Sequence, residues 1–288
     1  MKIIDRIKDR GSLTPTENQI VRYIRKSPEK VVNMPLDEFA ETIYVSKSTI
    51  IRFCKKLGFH GHKELCVELA KELNTFAAEE NEIDVSMPFA KGDSPMEAAR
   101  KMMTLTYKAV NDTYTGLAID QLGELAKLIY EGRPFTIYAL GENYLPAQDI
   151  SMRLQTLGYS VNAVQMPGMT MSKALSQSEG STALFISYSG REPVLAQSAR
   201  ILAEKNIPVY LICGPVSSAL KRLADTVIEI GFYEPQPRNV ILGSRSALFY
   251  TLDVLYALVF NLDADRHTAL LKADADYRRR SADNMEAL

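Results

Sequence analysis

The basic residues between Val45 and Leu65 are the side chains of this chain best suited to contact phosphate. The segment reads VSKSTIIRFCKKLGFHGHKEL and contains no acidic residue before Glu64. Ser46 suits the cap of a helix that would end near Gly58, because its hydroxyl can accept from a free amide of the first turn. Apolar residues recur at helical spacing on one face: Ile50, Phe53, Cys54 and Leu57. The opposite face carries basic and hydroxyl groups: Lys47, Ser48, Thr49, Arg52, Lys55 and Lys56. This pattern is typical of a helix that reads the DNA major groove.

Position along this helix predicts two roles for its polar residues. One group lies near the start of the helix and is expected to reach base edges: Lys47, Ser48, Thr49 and Arg52. The other group is expected to contact phosphates: Lys55, Lys56 and Lys63. The simpler alternative is a solvated amphipathic face, which is the usual meaning of a lone charge run.

The residues before this helix fit a helix-turn-helix unit. Ala40 provides the small residue at which two helices cross. Apolar residues stand where the two helices would lock together: Phe39, Ile43, Val45, Ile50 and Phe53. Tyr44 stands where the turn often has glycine, and a bulky residue at positive φ costs on the order of 1 kcal/mol. Because capping, crossing and locking positions coincide with the basic residues, DNA binding is favoured over a solvated face.

A second group with anion-binding chemistry follows a β-prone run at Ile186 to Gly190, which reads ISYSG. Ser187 and Ser189 supply hydroxyl donors, and Gly190 lets an anion approach the backbone. The helix that follows would offer unpaired amides at its N-terminus. Taken alone, this motif is most often a turn with a helix cap, so its weight depends on its place at the end of a strand.

Length and composition predict two domains. The chain has 288 residues, of which 46% are hydrophobic, enough for a sizeable core. Residues 1–77 hold 14 Lys and Arg against 10 Asp and Glu, whereas the remainder holds 20 against 25. The charge of the first part therefore favours nucleic acid. Three cysteines without metal-ligand spacing indicate buried thiols in a reducing compartment. The charged N-terminus and the interruption of the last apolar run by Asp253 predict a cytoplasmic protein without a membrane span.

The order of elements predicts the fold class. Residues 13–76 have helical patterning, and β-prone runs then alternate with helices: Phe135 to Leu140, Ser160 to Val164, Thr182 to Ser187, Val209 to Cys213 and Val227 to Ile230. We expect an α/β protein overall, with an all-α helix-turn-helix domain (1–77), a linker (78–95) and a doubly wound parallel α/β domain (96–288, core about 119–262). A final helix would start with Ser244 as its cap, followed by a polar tail that is solvated or frayed. Ligands gather at the carboxyl ends of such strands.

The stretch SKSTIIRFCKKLGFHGHKEL resembles the N-terminal domain of RpiR-type transcriptional regulators. The alternation from about Ile119 onward resembles the SIS (sugar isomerase) domain that follows it in that family. The resemblance implies a homodimer or homotetramer on a palindromic operator in double-stranded DNA, with affinity set by a sugar phosphate or related effector. It assigns the effector to two loops, with these residues: Gly141, Asn143, Ser187, Tyr188, Ser189, Gly190 and Glu192.

Two residues depart from the loops of that family. Asn143 replaces a serine, and Glu192 replaces the threonine of S-x-S-G-x-T. Glu192 would repel a phosphate if it faced the pocket, or would stabilise its helix as an acid in the first turn. The effector is therefore a sugar phosphate, a less charged amino sugar or sugar acid, or absent.

Catalysis is the competing hypothesis. An aldose–ketose isomerase needs a base, and two of the three histidines, His60 and His62, lie in the DNA-binding domain. This leaves His267, while Glu142, Glu192 and Glu234 have no spacing that marks a base. Since no metal, nucleophile or Walker motif is present, we expect no catalytic residues, no metal and no cofactor. The alternative is a sugar-phosphate isomerase with an accessory helical domain.

Overall fold

The structure is a computed structural model that describes residues 13–71, 83–235 and 241–286, with side chains to residue 279. The chain divides into two units, Met1–Ile83 and Asp84–Leu288, and each is considered by itself. The division falls inside the segment 78–95, for which a linker is expected. The charged first ten residues and the first part of that segment, 78–82, lie outside the described residues.

The described part of the N-terminal unit, residues 13–71, is helical, as predicted. Its helices are α1 (Pro15–Lys26), α2 (Pro28–Asn33), α3 (Leu36–Thr42), α4 (Lys47–Lys56) and α5, which spans 62–71 before the gap. A capping box starts α1, because the Thr14 hydroxyl accepts from Glu17 N while the Glu17 carboxylate accepts from Thr14 N at 2.8 Å. Such reciprocal bonds satisfy two amides that the helix itself cannot.

One hydrophobic core holds this unit together. Its fully buried side chains come from every helix and include Ile20, Val31, Phe39, Ile50 and Leu65. Cys54 and Cys66 are buried there as free thiols. Burial raises the pKa of Cys54 to about 12, with the nearby Cys66 adding to the effect. Both thiols are therefore packing groups at neutral pH.

The second unit has helices on a parallel sheet, which confirms the predicted fold class. Its elements are α6 (Pro95–Thr115), α7 (Ile119–Tyr130), β1 (Phe135–Ala139), α8 (Tyr144–Thr156), β2 (Val161–Val164), α9 (Pro167–Ser176), β3 (Thr182–Ile186), α10 (Pro193–Glu204), β4 (Val209–Cys213), α11 (Ala219–Leu223), β5 (Thr226–Glu229), α12 (Gly243–Leu262) and α13 (Ala264–Glu286).

The strand order β2-β1-β3-β4-β5 determines where a ligand can bind. All neighbouring strands are parallel, and Phe135 of β1 pairs with Val161 on one side and with Thr182 on the other. Residues of β1, β3 and β4 are buried throughout, as expected for strands covered on both faces. The connections leave in opposite directions between β1 and β3, so a crevice opens at their carboxyl ends. The loops after these two strands are the two predicted effector loops.

Of the two expectations for the C-terminal tail, solvated or frayed, the structure favours the first, because the tail continues as the exposed helix α13 through Glu286. Arg278 pairs with Asp274 one turn away at 2.8 Å, a local interaction that supports an exposed helix. The start of α13 is anchored by the buried His267, whose ring nitrogens contact the Tyr159 hydroxyl and the Phe260 carbonyl, both at 2.8 Å.

Among the described helices, none is by itself long and apolar enough to cross a membrane. Helix α12 and the following helix to Arg279 pass that test only as a pair, bent by 107° where they meet.

Candidate DNA-binding surface and effector site

Hydroxyl groups stabilise the start of α4, where Ser46 is the predicted cap. The Ser46 side chain accepts from Thr49 N at 3.3 Å, so Ser46 caps the helix. Its hydroxyl also lies 3.0 Å from that of Ser48 and 2.8 Å from that of Thr49. These contacts hold the first turn in one conformation and leave its outer face exposed to a partner.

The turn before α4 has the geometry of a helix-turn-helix. Val45 N donates to the carbonyl of Ala40 at 3.0 Å, and both residues are buried between the helices. Gln19 of α1 secures the same turn by donating to the carbonyl of Ile43 at 2.7 Å. Tyr44 lies between these anchored residues with a φ of 51°. The left-handed turn expected from the sequence is therefore present, with tyrosine in it.

Most of the predicted DNA-binding side chains are exposed. Lys47, Ser48, Arg52 and Lys55 are exposed on α4, Thr49 is half-buried, and Lys63 is exposed on α5. Arg52 donates to the Thr49 hydroxyl at 3.3 Å. Lys47 pairs with Asp37 of α3 at 2.7 Å, but both side chains are more than half exposed. An exposed ion pair contributes little to the stability of the fold. The Lys47 ammonium can therefore leave Asp37 and bind another anion.

Lys56 is the exception among the basic residues. Its ammonium donates to both carboxylate oxygens of Glu17 at 2.9 Å, and the pair is partly buried. Burial opposes ionisation of Glu17, but hydrogen bonds from Lys56 and Thr14 outweigh it and lower the pKa of this carboxyl. The geometry therefore favours a structural role for Lys56 over the phosphate contact predicted from its position.

The loop after β3 already holds an anion, and that anion is a side chain of the same chain. The Glu192 carboxylate accepts from the Ser187 hydroxyl at 2.5 Å and from the Ser189 hydroxyl at 3.3 Å. Glu192 occupies the cap position of α10 without capping it through its side chain. Of the two alternatives for Glu192, the structure thus favours a carboxylate turned towards the serine loop.

Gly190 shapes this loop. Its φ is 60°, and its amide donates to the Ser187 hydroxyl at 2.9 Å. A Cβ at this position would collide with the Ser218 side chain. Glycine is therefore required both by the backbone conformation and by the close approach of Ser218.

Asn143 and Tyr188, one from each predicted loop, line a small cavity beside the serine loop, together with Ser244. The cavity volume is about 10 Å³, which is room for roughly one water. Gly141 precedes Asn143 in a short 3-10 turn and has a φ of 58°. The Tyr188 hydroxyl donates to the Phe232 carbonyl at 3.1 Å and accepts from Glu234 N at 2.6 Å. The Tyr188 hydroxyl thereby joins the serine loop to the segment that contains Phe232 and Glu234.

Glu234 is a site residue whose place could not be predicted. It is 2% exposed, and its carboxylate accepts from the amide and the hydroxyl of Ser244 at 2.9 and 2.8 Å. The expectation that Ser244 caps the last helix is wrong, because α12 begins at Gly243 and its cap position is Leu242. The Ser244 hydroxyl is directed to Glu234 instead. No local motif joins these residues, which lie 10 positions apart.

Part of the isomerase hypothesis can be tested by geometry. His267 is buried in a structural contact with Tyr159 and Phe260. Within the described ranges, no group of three or more His, Cys, Asp and Glu side chains could hold a metal ion.

Two family patterns match the chain. The helix-turn-helix domain of the rpiR family matches residues 1–75, and the SIS domain matches residues 128–260. An uncharacterized HTH-type transcriptional regulator of Haemophilus influenzae is 26% identical over 88% of each chain. A second such regulator, TTE0211 of Caldanaerobacter subterraneus, is 24% identical over 86% of each chain.

Solved structures share the fold. The Vibrio vulnificus NanR protein complexed with ManNAc-6P is similar with a TM-score of 0.56 and 16% identity, over 96% of this chain and 97% of that one. The sugar isomerase domain of an RpiR transcription factor from Sphaerobacter thermophilus has a TM-score of 0.55 and 14% identity, over 62% of this chain and 98% of that one.

Proposed function

The chain belongs to the RpiR-type transcriptional regulators, with an rpiR-family helix-turn-helix domain and a SIS domain, and from this premise we propose how it works. It binds a palindromic operator as a cytoplasmic homodimer or homotetramer, and a phosphosugar-like effector in the SIS domain controls its affinity for that operator. The two curated relatives that match it over most of both chains are HTH-type transcriptional regulators, and the chain is a regulator rather than an enzyme.

The DNA-binding role is supported by the exposed face of α4. The Ser46 cap fixes the first turn of α4, which exposes Lys47 and Ser48. Arg52 is exposed in the next turn, and this N-terminal part of the helix would enter the groove. Lys55 and Lys63 remain exposed for phosphates. A two-fold symmetric assembly would present two such helices, and it would therefore recognise a palindromic site.

The observation that carries the effector proposal is the Glu192 carboxylate on Ser187 and Ser189. Hydroxyl donors that hold a carboxylate are the donors that a phosphate needs. The phosphate of the effector would take the place of this carboxylate, and its sugar would open the cavity beside Asn143 and Tyr188. That NanR was solved with ManNAc-6P supports a phosphorylated sugar as the class of effector.

Displacement of Glu192 also supplies the two states that regulation requires. An effector shifts an equilibrium only if it binds one state more tightly than the other. Here the state without effector has Glu192 on the serine loop, and the state with effector has that side chain elsewhere. A rearrangement of α10, which begins next to Glu192, would carry the signal away from the effector loop through the SIS domain.

A thermal-shift screen of the full chain tests the effector site. Sugar phosphates are compared with the same sugars lacking phosphate, on wild type, Ser189→Ala and the matched control Ser172→Ala, which removes an exposed hydroxyl of α9. We expect at least one sugar phosphate, and not its free sugar, to stabilise wild type and the control but not Ser189→Ala. Equal stabilisation of all three proteins would place the ligand elsewhere, and no response to any sugar phosphate would refute this effector class.

A further inference from the structure

Tyr44 has a backbone conformation that disfavours its side chain. Among the described residues other than glycine, Tyr44 and Asn206 have a positive φ, of 51° and 56°. Asparagine adopts this region readily, whereas a bulky side chain there is strained. Glycine at position 44 would form the same turn without that cost.

The ring of Tyr44 does not compensate for this cost within its own unit. The side chain is 92% exposed, although its neighbours Ile43 and Val45 are buried. In the described part of the unit, Tyr44 makes a backbone hydrogen bond, from its amide to the Glu41 carbonyl at 3.2 Å, and no side-chain hydrogen bond or ring contact is found. The contacts of the described part of this unit therefore do not explain a tyrosine here.

The position of Tyr44 indicates the partner. It is two residues before Ser46, so its Cα lies within about 7.6 Å of the helix cap. Because Ile43 and Val45 are buried in the core, the exposed ring of Tyr44 points outward from the turn that precedes the N-terminal end of α4. That end of a recognition helix approaches DNA, and tyrosine hydroxyls are among the groups that donate to phosphate oxygens.

We propose that the Tyr44 hydroxyl donates a hydrogen bond to a backbone phosphate of DNA next to the first turn of α4. This inference rests on the proposed binding of DNA by α4 and adds a contact that positions the helix in the groove. A ring has few rotatable bonds, so little conformational entropy is lost when it binds. The contact is to phosphate, and it therefore strengthens binding to every sequence alike.

The full chain is tested with three variants against two unrelated duplexes at moderate salt, with thermal unfolding measured in parallel. Tyr44→Phe removes only the hydroxyl, and we expect about 3- to 10-fold weaker binding to both duplexes with an unchanged unfolding midpoint. Tyr44→Gly removes the ring and relieves the backbone strain while keeping the turn. DNA binding should therefore weaken at least as much as in Tyr44→Phe, and the unfolding midpoint should not fall. Asn206→Gly makes the same kind of change at the other described non-glycine residue with a positive φ, and it should leave DNA binding unchanged.

Four results would overturn the proposal. Wild-type affinity in Tyr44→Phe would show that the hydroxyl makes no contact, and a loss on only one duplex would show a base contact instead. A midpoint more than about 4 °C lower in Tyr44→Gly would show that the fold itself needs the ring. If wild type binds neither duplex, the proposed DNA-binding role fails as well, and this outcome is distinguished because it involves no variant.

Discussion

Lys56 of α4 donates to both carboxylate oxygens of Glu17 in α1, at 2.9 Å and across 39 positions of sequence. Glu17 also completes the capping box with Thr14. One carboxylate therefore fixes the start of α1 and attaches α4 to it. The orientation of the exposed face of α4 therefore depends on a carboxylate of another helix.

Replacing Lys56 by alanine should lower the free energy of unfolding of the N-terminal unit by about 1 kcal/mol, since the pair is only partly buried. Lys55→Ala, one position earlier and exposed, should leave it unchanged. Urea unfolding of both variants measures this, and adding Glu17→Gln to Lys56→Ala should cost less than the sum of the single changes. If Lys56→Ala instead keeps full stability and only weakens DNA binding, Lys56 contacts phosphate as its position first predicted.

The Glu17–Lys56 pair also predicts the direction in which the free energy of unfolding changes at acid pH. The pKa of Glu17 is lowered from 4.5 in the folded chain, so the unfolded chain binds its proton first as pH falls. The contribution of the pair should be complete above about pH 4.5 and should be lost as pH falls through the folded pKa. Unfolding free energies of wild type and Glu17→Gln should therefore converge at low pH, and a constant difference would contradict this sign.

Arg52 and Lys55 should affect DNA binding differently. Arg52→Ala should cost about 1 to 3 kcal/mol on the operator and relax the sequence preference, because arginine reads base edges. Lys55→Ala should weaken binding to all sequences alike and reduce the salt dependence by about one phosphate contact. Salt titrations on operator and unrelated duplexes separate the two effects. Equal, sequence-independent losses for both variants would show that the assigned roles are wrong.

Glu192→Gln should strengthen the binding of phosphate to the serine loop. The variant keeps an acceptor for the hydroxyls but removes a negative charge, a change worth about 1 kcal/mol or roughly fivefold in affinity. Glu204→Gln, at the exposed other end of α10, serves as the control for charge alone. Calorimetric titration with inorganic phosphate and with sugar phosphates measures the change. Weaker binding in Glu192→Gln would show that the carboxylate is a ligand contact rather than a competitor.

His62 should make the N-terminal unit less stable in acid. Burial lowers the pKa of its imidazole from 6.5, and the ring stacks on Phe39 with centroids 5.4 Å apart. The unfolded chain therefore takes up the proton first, so stability should fall as pH drops below about 6.5 and level off below the folded pKa. His62→Phe should remove this slope, whereas the exposed His60→Gln should retain it. An unchanged slope in His62→Phe would assign it to other groups.

Local patterns explain why so much of the fold was predictable. Ser46, the apolar stripe of α4 and the burial of β1, β3 and β4 are read from residues a few positions apart. The strand order then brings the two effector loops to one edge of the sheet. Short-range periodicity is thus enough to predict the helical unit and the parallel α/β unit. The order of the strands comes from the structure.

The partners of the charged side chains could be identified only from the structure. Glu17 and Lys56 are 39 positions apart, and Glu234 and Ser244 are 10 apart, with no spacing rule to join them. The sequence placed Glu192 near the serine loop but did not decide the direction of its carboxylate. Backbone folding decides that direction, and with it whether the loop is open or already holds an anion.

Binding of the full chain to labelled fragments from upstream of its own gene, with and without sugar phosphates, tests the regulatory proposal most directly. Fluorescence anisotropy at moderate salt should find a fragment bound well above the non-specific level. One sugar phosphate should change that affinity about 5- to 150-fold, and Ser189→Ala should bind the same fragment without responding. Binding no tighter than to unrelated DNA, or an affinity that no sugar phosphate changes, would contradict the proposal.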